Sequence, residues 1–241
     1  MTNTPLITFV RTDDKPVHIE NITLEIAEHF KVSRFYVPQF CRLISTSKRW
    51  KVENWRPQFD QWKSVFSKIN PNETRKIIDI IDRGFDSCTT NLEIDDLRGC
   101  MLEALIMGSY GGRKVISNPS FGWGSRVDLN MESGKTLKVK FECLNTEQPL
   151  CVRRSTVDFG YWNKKHGKFY ECKVQPISLT CKEINYMRTL RKELILNKIS
   201  NEVFFAFAAS KDKVNMDLKK LQLESFFKPL GYEDISEMIS A

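Results

Sequence analysis

The stretch VDFGYWNKKHGKFYECKV, residues 157–174, decides where the chain places its strands and its charges. Two runs rich in aromatic and β-branched residues flank a polar segment, residues 163–167, that contains asparagine, lysine and glycine. This pattern is typical of an antiparallel β-hairpin. The stretch therefore predicts two neighbouring strands, and their register decides which side chains share a face.

A four-residue loop, residues 164–167, gives the register that keeps the apolar side chains of this hairpin together. In that register Asp158 faces Lys173 on the neighbouring strand. Glu171 faces Gly160, which leaves open space beside the carboxylates. The opposite face is apolar and consists of Val157, Phe159, Tyr161, Tyr170, Cys172 and Val174. The hydrophobic pattern thus predicts two acids and a lysine on the solvent-facing side of the hairpin.

The composition is that of a globular protein. With 241 residues, of which 41% are hydrophobic, the chain can bury the core of one large domain or two small ones. It has no run of about 18 apolar residues, and its first residues lack a basic or apolar leader pattern, so we expect a cytoplasmic protein outside the membrane. The seven cysteines form no C-x-x-C pair, which predicts reduced thiols without a zinc cluster or a disulfide framework.

The positive charge of the chain is concentrated around the hairpin. Residues 151–200 contain eleven Lys or Arg and four Asp or Glu, so this segment alone accounts for the formal net charge of +7. Such a density suits a polyanion, although an ordinary lysine-rich surface gives the same charge. The side chains that we expect to contact nucleic-acid phosphates here are Arg153, Arg154, Lys164, Lys165 and Lys182.

Capping patterns predict a helix on either side of the strands. Thr90 and Glu93 form a capping box before a helical apolar pattern that the glycines at 111 and 112 end. Thr180 and Glu183 repeat the pattern after the hairpin. Two further runs, 125–131 and 136–143, predict a second hairpin, and the apolar run 203–209 predicts a strand buried on both faces. The predicted fold class is therefore α/β.

This order of elements, with Asp158 on one strand and Glu171-Cys172-Lys173 on the next, resembles the restriction-endonuclease-like, PD-(D/E)XK, nuclease superfamily. The resemblance covers roughly residues 90–210. It implies that both acids bind Mg²⁺, with Mn²⁺ as a substitute, and that the lysine positions or activates the attacking water. The physical chemistry agrees, because Mg²⁺ is held by one or two carboxylates together with water and phosphate oxygens.

Other acidic residues either add a ligand to this predicted metal site or form a rival to it. The family often adds an acid from the preceding helix, for which Glu103 is the best match and Glu93 an alternative. A rival pair, Asp128 and Glu142, lacks the lysine because Leu144 stands in its place, and we interpret that pair as structural. The alternative for the main cluster is a surface group of salt bridges on a half-exposed sheet.

The first 89 residues predict a separate helical region. Residues 24–44 resemble a helix-turn-helix, in which Ala27 allows close packing and Val32 opens the second helix, although Pro38 would disturb that helix. A plain helical bundle covered by tryptophans is the alternative. The side chains that would reach a major groove are Arg34, Tyr36 and Gln39.

Together these features predict a helical region over 1–89 and a restriction-endonuclease-like nuclease domain over 90–241. We expect a Mg²⁺-dependent endonuclease that hydrolyses DNA, employed in restriction, defence or transposon-end cleavage. A homodimer or a partner protein is expected as a further component. The alternatives are a DNA-binding protein without catalysis and a nuclease subunit that needs another protein.

Overall fold

The computed structural model describes residues 6–131, 133–143, 153–223 and 227–239. The chain divides into two compact units. The sheet unit consists of Met1–Asp14, Lys114–Ala206 and Val214–Leu230. The helical unit consists of Lys15–Arg113, Phe207–Lys213 and Gly231–Ala241. This division differs from the predicted boundary at residues 89 and 90, because the first strand joins the sheet and the helix that follows residue 90 joins the helical unit.

Eight α-helices are present in the described part of the chain. Their bounds are α1 Val17–Phe30, α2 Val37–Thr46, α3 Trp55–Phe66, α4 Pro71–Asp86, α5 Asn91–Ser109, α6 Cys181–Leu196, α7 Lys211–Lys220 and α8 Tyr232–Met238. In the helical unit α1 packs on α4 and α5, and a Cβ added to Gly108 would lie 3.1 Å from the Ala27 carbonyl oxygen. The predicted capping box at Thr90 is formed, so the start of α5 is confirmed.

The predicted helix-turn-helix does not form with its predicted bounds. The second helix begins at Val37, five residues after Val32, and Pro38 lies in its first turn, where proline breaks no helical hydrogen bond. Tyr36 is fully buried and its hydroxyl contacts the His29 ring, so this side chain cannot reach a groove of DNA. Arg34 is exposed in the connection between the two helices.

The sheet unit has an α/β architecture with a mixed sheet. The strands are β1 Ile7–Arg11, β2 Phe121–Asn130, β3 Thr136–Lys138, β4 Phe141–Glu142, β5 Arg153–Arg154, β6 Thr156–Trp162, β7 His166–Lys173, β8 Ser200–Phe207 and β9 Lys228–Leu230. The main sheet has the order β1-β2-β6-β7-β8-β9, with β3 paired to β2. The pairs from β1 to β7 are antiparallel and β8 pairs with β9 in parallel. The helix α6 connects β7 to β8, and β4 and β5 form a separate two-stranded sheet.

The strand β1 was missed because its residues, ITFVR, were assigned to the helical region. The second predicted hairpin forms only in part. Its strands are β2 and the short β3, whereas β4 pairs with β5 instead of β2. The predicted buried strand is confirmed as β8, in which residues 203–207 are all buried.

The acidic hairpin forms, but its register differs by two residues from the prediction. Phe159 pairs with Tyr170 and Trp162 with Gly167, so the loop is tighter than the predicted four residues. The Asn163 side chain explains the tight loop, because its Oδ1 accepts hydrogen bonds from two backbone N–H groups of the turn, 3.0 and 2.7 Å away. A shift of two residues keeps each side chain on its face, so the predicted clustering of the charges survives.

The predicted solvent-facing side of the hairpin is largely buried, and only Asp158 and Lys173 on it keep partial exposure. Glu171 and Phe169 are fully buried, and Trp162 is 4% exposed. The ring of Phe9, from β1, covers Gly160 so closely that an added Cβ would lie 2.3 Å from the ring. The expected open space beside the carboxylates is therefore filled by an aromatic side chain from the strand that the sequence did not reveal.

The expectation of reduced thiols holds for most of the described cysteines. Free thiols are present at Cys41, Cys88, Cys100, Cys143 and Cys172. Cys181, the first residue of α6, is instead disulfide-bonded, which corrects the expectation at that position. Within the described ranges no helix has both the length and the apolar character needed to cross a lipid bilayer.

A glycine-to-alanine pair tests the close contact of β1 with the hairpin. Gly160→Ala should lower the free energy of unfolding by about 1–3 kcal/mol, because the new methyl group forces the Phe9 ring aside. Gly99→Ala, in the interior of α5, should instead raise it by about 0.5–1 kcal/mol, since an added Cβ meets no described atom within 4 Å beyond its own helix backbone and chain neighbours. Urea unfolding of both variants checks the pair, and equal effects would contradict this packing.

Candidate functional site

The sheet unit brings five charged side chains into one cluster, which we call the charge cluster. Its members are Arg154 of β5, Asp158 of β6, Glu171 and Lys173 of β7, and Glu183 of α6. The three residues that the sequence singled out, Asp158, Glu171 and Lys173, are therefore brought together. The other two members have roles that sequence reasoning did not assign to them.

Arg154 lies between the two predicted metal ligands. Its Nη2 donates hydrogen bonds to Asp158 Oδ1 at 2.8 Å and to Glu171 Oε2 at 2.6 Å. Its Nε donates to the Thr156 carbonyl oxygen at 3.2 Å. Burial disfavours the charged guanidinium, but the charges of the surrounding carboxylates more than offset this and raise its pKa. The guanidinium is thus a cation held at the centre of the cluster, where it is 14% exposed, and its predicted contact with phosphate stays a prediction.

The two hairpin acids differ in burial and in hydrogen bonding. Asp158 retains slight exposure, and its Oδ2 accepts the backbone N–H of Cys172 at 2.7 Å. Glu171 is fully buried. Burial, and after it the charge of Asp158, raises the pKa of Glu171 to about 8, although Arg154 and Lys173 oppose the shift. Glu171 is thus the acid of the pair whose charge is costly to hold, because it is the one taken fully out of water.

One oxygen of Glu171 stands apart in its bonding. Oε1 lies 3.1 Å from Lys173 Nζ, an ion-pair distance, but the angles do not make this contact a hydrogen bond. Among the residues that the structure describes, none forms a hydrogen bond to Oε1. The ammonium of Lys173 therefore compensates the charge of this oxygen without a well-aligned hydrogen bond, which leaves Oε1 able to accept one more ligand or water contact.

Lys173 is placed between two acids. Its Nζ lies 3.1 Å from Glu171 Oε1 and 3.4 Å from Glu183 Oε1. Burial disfavours the ammonium, but the charges of Glu171 and Asp158 outweigh that effect, so the pKa of Lys173 is raised above its usual value. The lysine therefore remains protonated at neutral pH.

Glu183 is the member that sequence reasoning identified only as a helix cap. Its Oε2 accepts the backbone N–H of Thr180 at 2.9 Å, which confirms the second predicted capping box. Its Oε1 faces Lys173 and lies 3.7 Å from Arg154 Nη1. The same carboxylate thus caps the start of α6 and completes the cluster. The short spacing between Lys173 and Thr180 was the available signal that the start of α6 would lie near the end of β7. One turn further along, Tyr186 donates its hydroxyl proton to the Ser155 carbonyl oxygen at 3.3 Å.

The remaining predicted residues lie outside the cluster. Glu103 is buried in α5 and belongs to the helical unit, as does Arg34. Arg153 is 78% exposed and pairs with Glu142 at 2.8 Å. The exposed lysines Lys164 and Lys165 occupy the turn of the hairpin. Lys182 lies at the edge of the cluster, with Nζ 4.0 Å from Glu183 Oε1.

The rival pair does not assemble into a site. Asp128 accepts two hydrogen bonds from Arg126, at 2.6 and 2.8 Å, while Glu142 lies on the separate two-stranded sheet. This arrangement agrees with the interpretation of both acids as structural.

The donor atoms of the charge cluster fit Mg²⁺ in kind, although the geometry is not that of a complete metal cage. No group of three or more His, Cys, Asp or Glu in the described part of the chain is arranged to hold a metal ion. Mg²⁺ commonly takes only one or two carboxylates and keeps several waters. Asp158 and Glu171 supply that pair, and the buried Glu171 Oε1 is an oxygen that a cation would satisfy.

Comparison with known proteins adds little to this geometry. No family model and no curated protein sequence matches the chain. The solved structures include protein VC1899 from Vibrio cholerae, which aligns with a TM-score of 0.47 and 8% sequence identity over 98% of this chain. The chain spans 57% of the length of that protein. A similarity at this level supports no conclusion about function.

A double-mutant cycle tests whether the buried bridge stabilises the fold as a unit. Arg154→Met should lower the free energy of unfolding by about 3–5 kcal/mol, because it leaves two neighbouring acids without the cation between them. Glu171→Leu should lower it by about 1–3 kcal/mol, because Arg154 keeps Asp158 and Lys173 keeps Glu183 as partners. The double variant should lose less than the sum, with a coupling energy of about 1–3 kcal/mol in urea unfolding.

The exposed pair of Arg153 and Glu142 provides the matched control, since it has the same chemistry at a similar distance. Arg153→Met and Glu142→Leu should couple by about 0.5 kcal/mol or less. Equal coupling energies in the two cycles would mean that burial gives the Arg154 bridge no special strength.

Proposed function

We propose that the sheet unit is a restriction-endonuclease-like, Mg²⁺-dependent endonuclease that hydrolyses DNA phosphodiester bonds. The single observation that carries this proposal is the convergence of two carboxylates, from adjacent strands, on one cation position beside a lysine ammonium. Metal-dependent phosphodiester hydrolysis uses ligands for a divalent ion and a positive charge that stabilises the phosphate. The two carboxylates supply the ligands and the lysine supplies the charge.

Asp158 and Glu171 would hold the Mg²⁺ or Mn²⁺ ion. When bound, the ion would lower the pKa of a water molecule and offset the negative charge that develops on the phosphate. Asp158 is fixed for this role by the backbone N–H of Cys172, which holds its second oxygen. Glu103 belongs to the helical unit, and its role as a further ligand stays a prediction.

Lys173 would act as a cation and a hydrogen-bond donor. Its raised pKa keeps the ammonium protonated, so it cannot take a proton from water at neutral pH. It can instead donate to an attacking water or to a phosphate oxygen. Glu183 contributes by fixing the position of the ammonium from the side of α6.

The charge of the unit suits DNA as the substrate. The turn lysines, Lys164 and Lys165, are exposed, and Lys182 borders the cluster. Together they place positive charge where a phosphate backbone could be bound without sequence preference. A homodimer, a partner protein and the biological pathway stay predictions.

A DNA-binding protein without catalysis is the second candidate, and one observation favours it. The acids of the cluster already have cationic partners inside the protein, as they would in a purely structural ion network. In that case the exposed lysines would bind DNA and the cluster would only stabilise the sheet.

Cleavage of supercoiled plasmid separates the two functions. The purified chain should nick or linearise plasmid in Mg²⁺ or Mn²⁺ and should be inactive in EDTA. Lys173→Met keeps the apolar stem and removes the ammonium, so it should lose about 10²-fold or more of the single-turnover rate while it still binds DNA. Lys168→Met, on the same strand but outside the cluster, is the matched control and should keep most of the rate. Absence of cleavage with intact DNA binding would favour the second candidate.

A further inference from the structure

We propose that Arg154 is a resident cation that competes with a divalent metal ion for Asp158 and Glu171. The inference rests on the proposed function and goes beyond it, because it assigns to this chain a residue that controls access of the metal to its own ligands.

The hydrogen bonds of Arg154 place it in competition with a metal. One nitrogen, Nη2, contacts one oxygen of each of the two acids, at 2.8 and 2.6 Å. A metal ion that binds both of these oxygens must take the place of that nitrogen. The guanidinium therefore cannot remain a bridge when both carboxylates become metal ligands.

The composition of the cluster is compatible with the exchange. Three carboxyl groups, those of Asp158, Glu171 and Glu183, face two cationic side chains. A divalent ion in place of the guanidinium would bring one more positive charge to these acids than Arg154 does. Glu171 Oε1 accepts no hydrogen bond from the described residues, and a metal beside it would add a ligand contact to its ion pair with Lys173.

The position of Arg154 in the fold allows it to leave. It lies on β5, which pairs with β4 in a small sheet of its own, whereas both acids lie in the main sheet. Movement of the guanidinium therefore breaks no backbone pairing between β6 and β7. Because the guanidinium is planar and rigid, its departure also breaks the Nε bond to the Thr156 carbonyl oxygen, which at 3.2 Å is the longest of its three hydrogen bonds.

Isothermal titration with Mg²⁺, in the absence of DNA, measures the competition directly. Arg154→Met should bind Mg²⁺ at least about tenfold more tightly than the wild-type chain, because the fraction of sites open to metal rises. Arg153→Met removes the same charge from the neighbouring residue, which is exposed and paired with Glu142, and it should change the affinity by less than about threefold.

A second measurement uses the wild-type chain, in case Arg154→Met does not fold. In ¹⁵N-resolved NMR, the Nε–Hε signal of Arg154, assigned with Arg154→Lys, should shift when Mg²⁺ saturates the site, and the Arg153 signal should not. Mg²⁺ binding with equal affinity in wild type and Arg154→Met, or without movement of the Arg154 signal, would overturn the inference and leave the nuclease proposal intact. Failure of both chains to bind Mg²⁺ would overturn the metal-dependent function together with the inference.

Discussion

The bridge from Arg154 to Asp158 and Glu171 is the interaction on which the centre of the sheet unit depends. A fully buried glutamate beside an aspartate is unfavourable unless a cation lies between them, and the penalty for one uncompensated buried charge is several kcal/mol. The guanidinium supplies that cation with two short hydrogen bonds. The register of β6 and β7, which brings both acids to one face, is therefore tied to the presence of a positive charge at one point.

Three local features keep Asp158, Glu171 and Arg154 in position. The Asn163 side chain closes the tight loop and so determines which residues pair across the hairpin. The capping carboxylate of Glu183 fixes the start of α6 and turns its other oxygen toward Lys173. The ring of Phe9 packs directly over Gly160. Each of these side chains satisfies a local requirement, and together they hold the acids and bases of the charge cluster within a few ångströms of each other.

The sequence predicted the parts of this arrangement that depend on short-range patterns. Alternation along residues 157–174 predicted that Asp158, Glu171 and Lys173 lie together, and the capping residues predicted the start of α5 and α6. What it missed depends on contacts between distant segments. The strand β1 is 110 residues from its partner β2, and only that pairing reveals that the face of Gly160 is covered. Arg154 was expected to contact nucleic-acid phosphates because it lies in a basic segment, and no short-range pattern indicated that its guanidinium pairs with Asp158 and Glu171.

The proposed nuclease activity requires that a metal ion can take the position between Asp158 and Glu171 that Arg154 occupies. Anomalous diffraction from crystals soaked in Mn²⁺ tests this most directly, because it locates the ion without reference to activity. We expect an anomalous peak in contact with both carboxylates and an Arg154 guanidinium that no longer bridges them. Crystals with millimolar Mn²⁺ that show no peak at these acids, and an Arg154 bridge that is unchanged, would contradict the proposal.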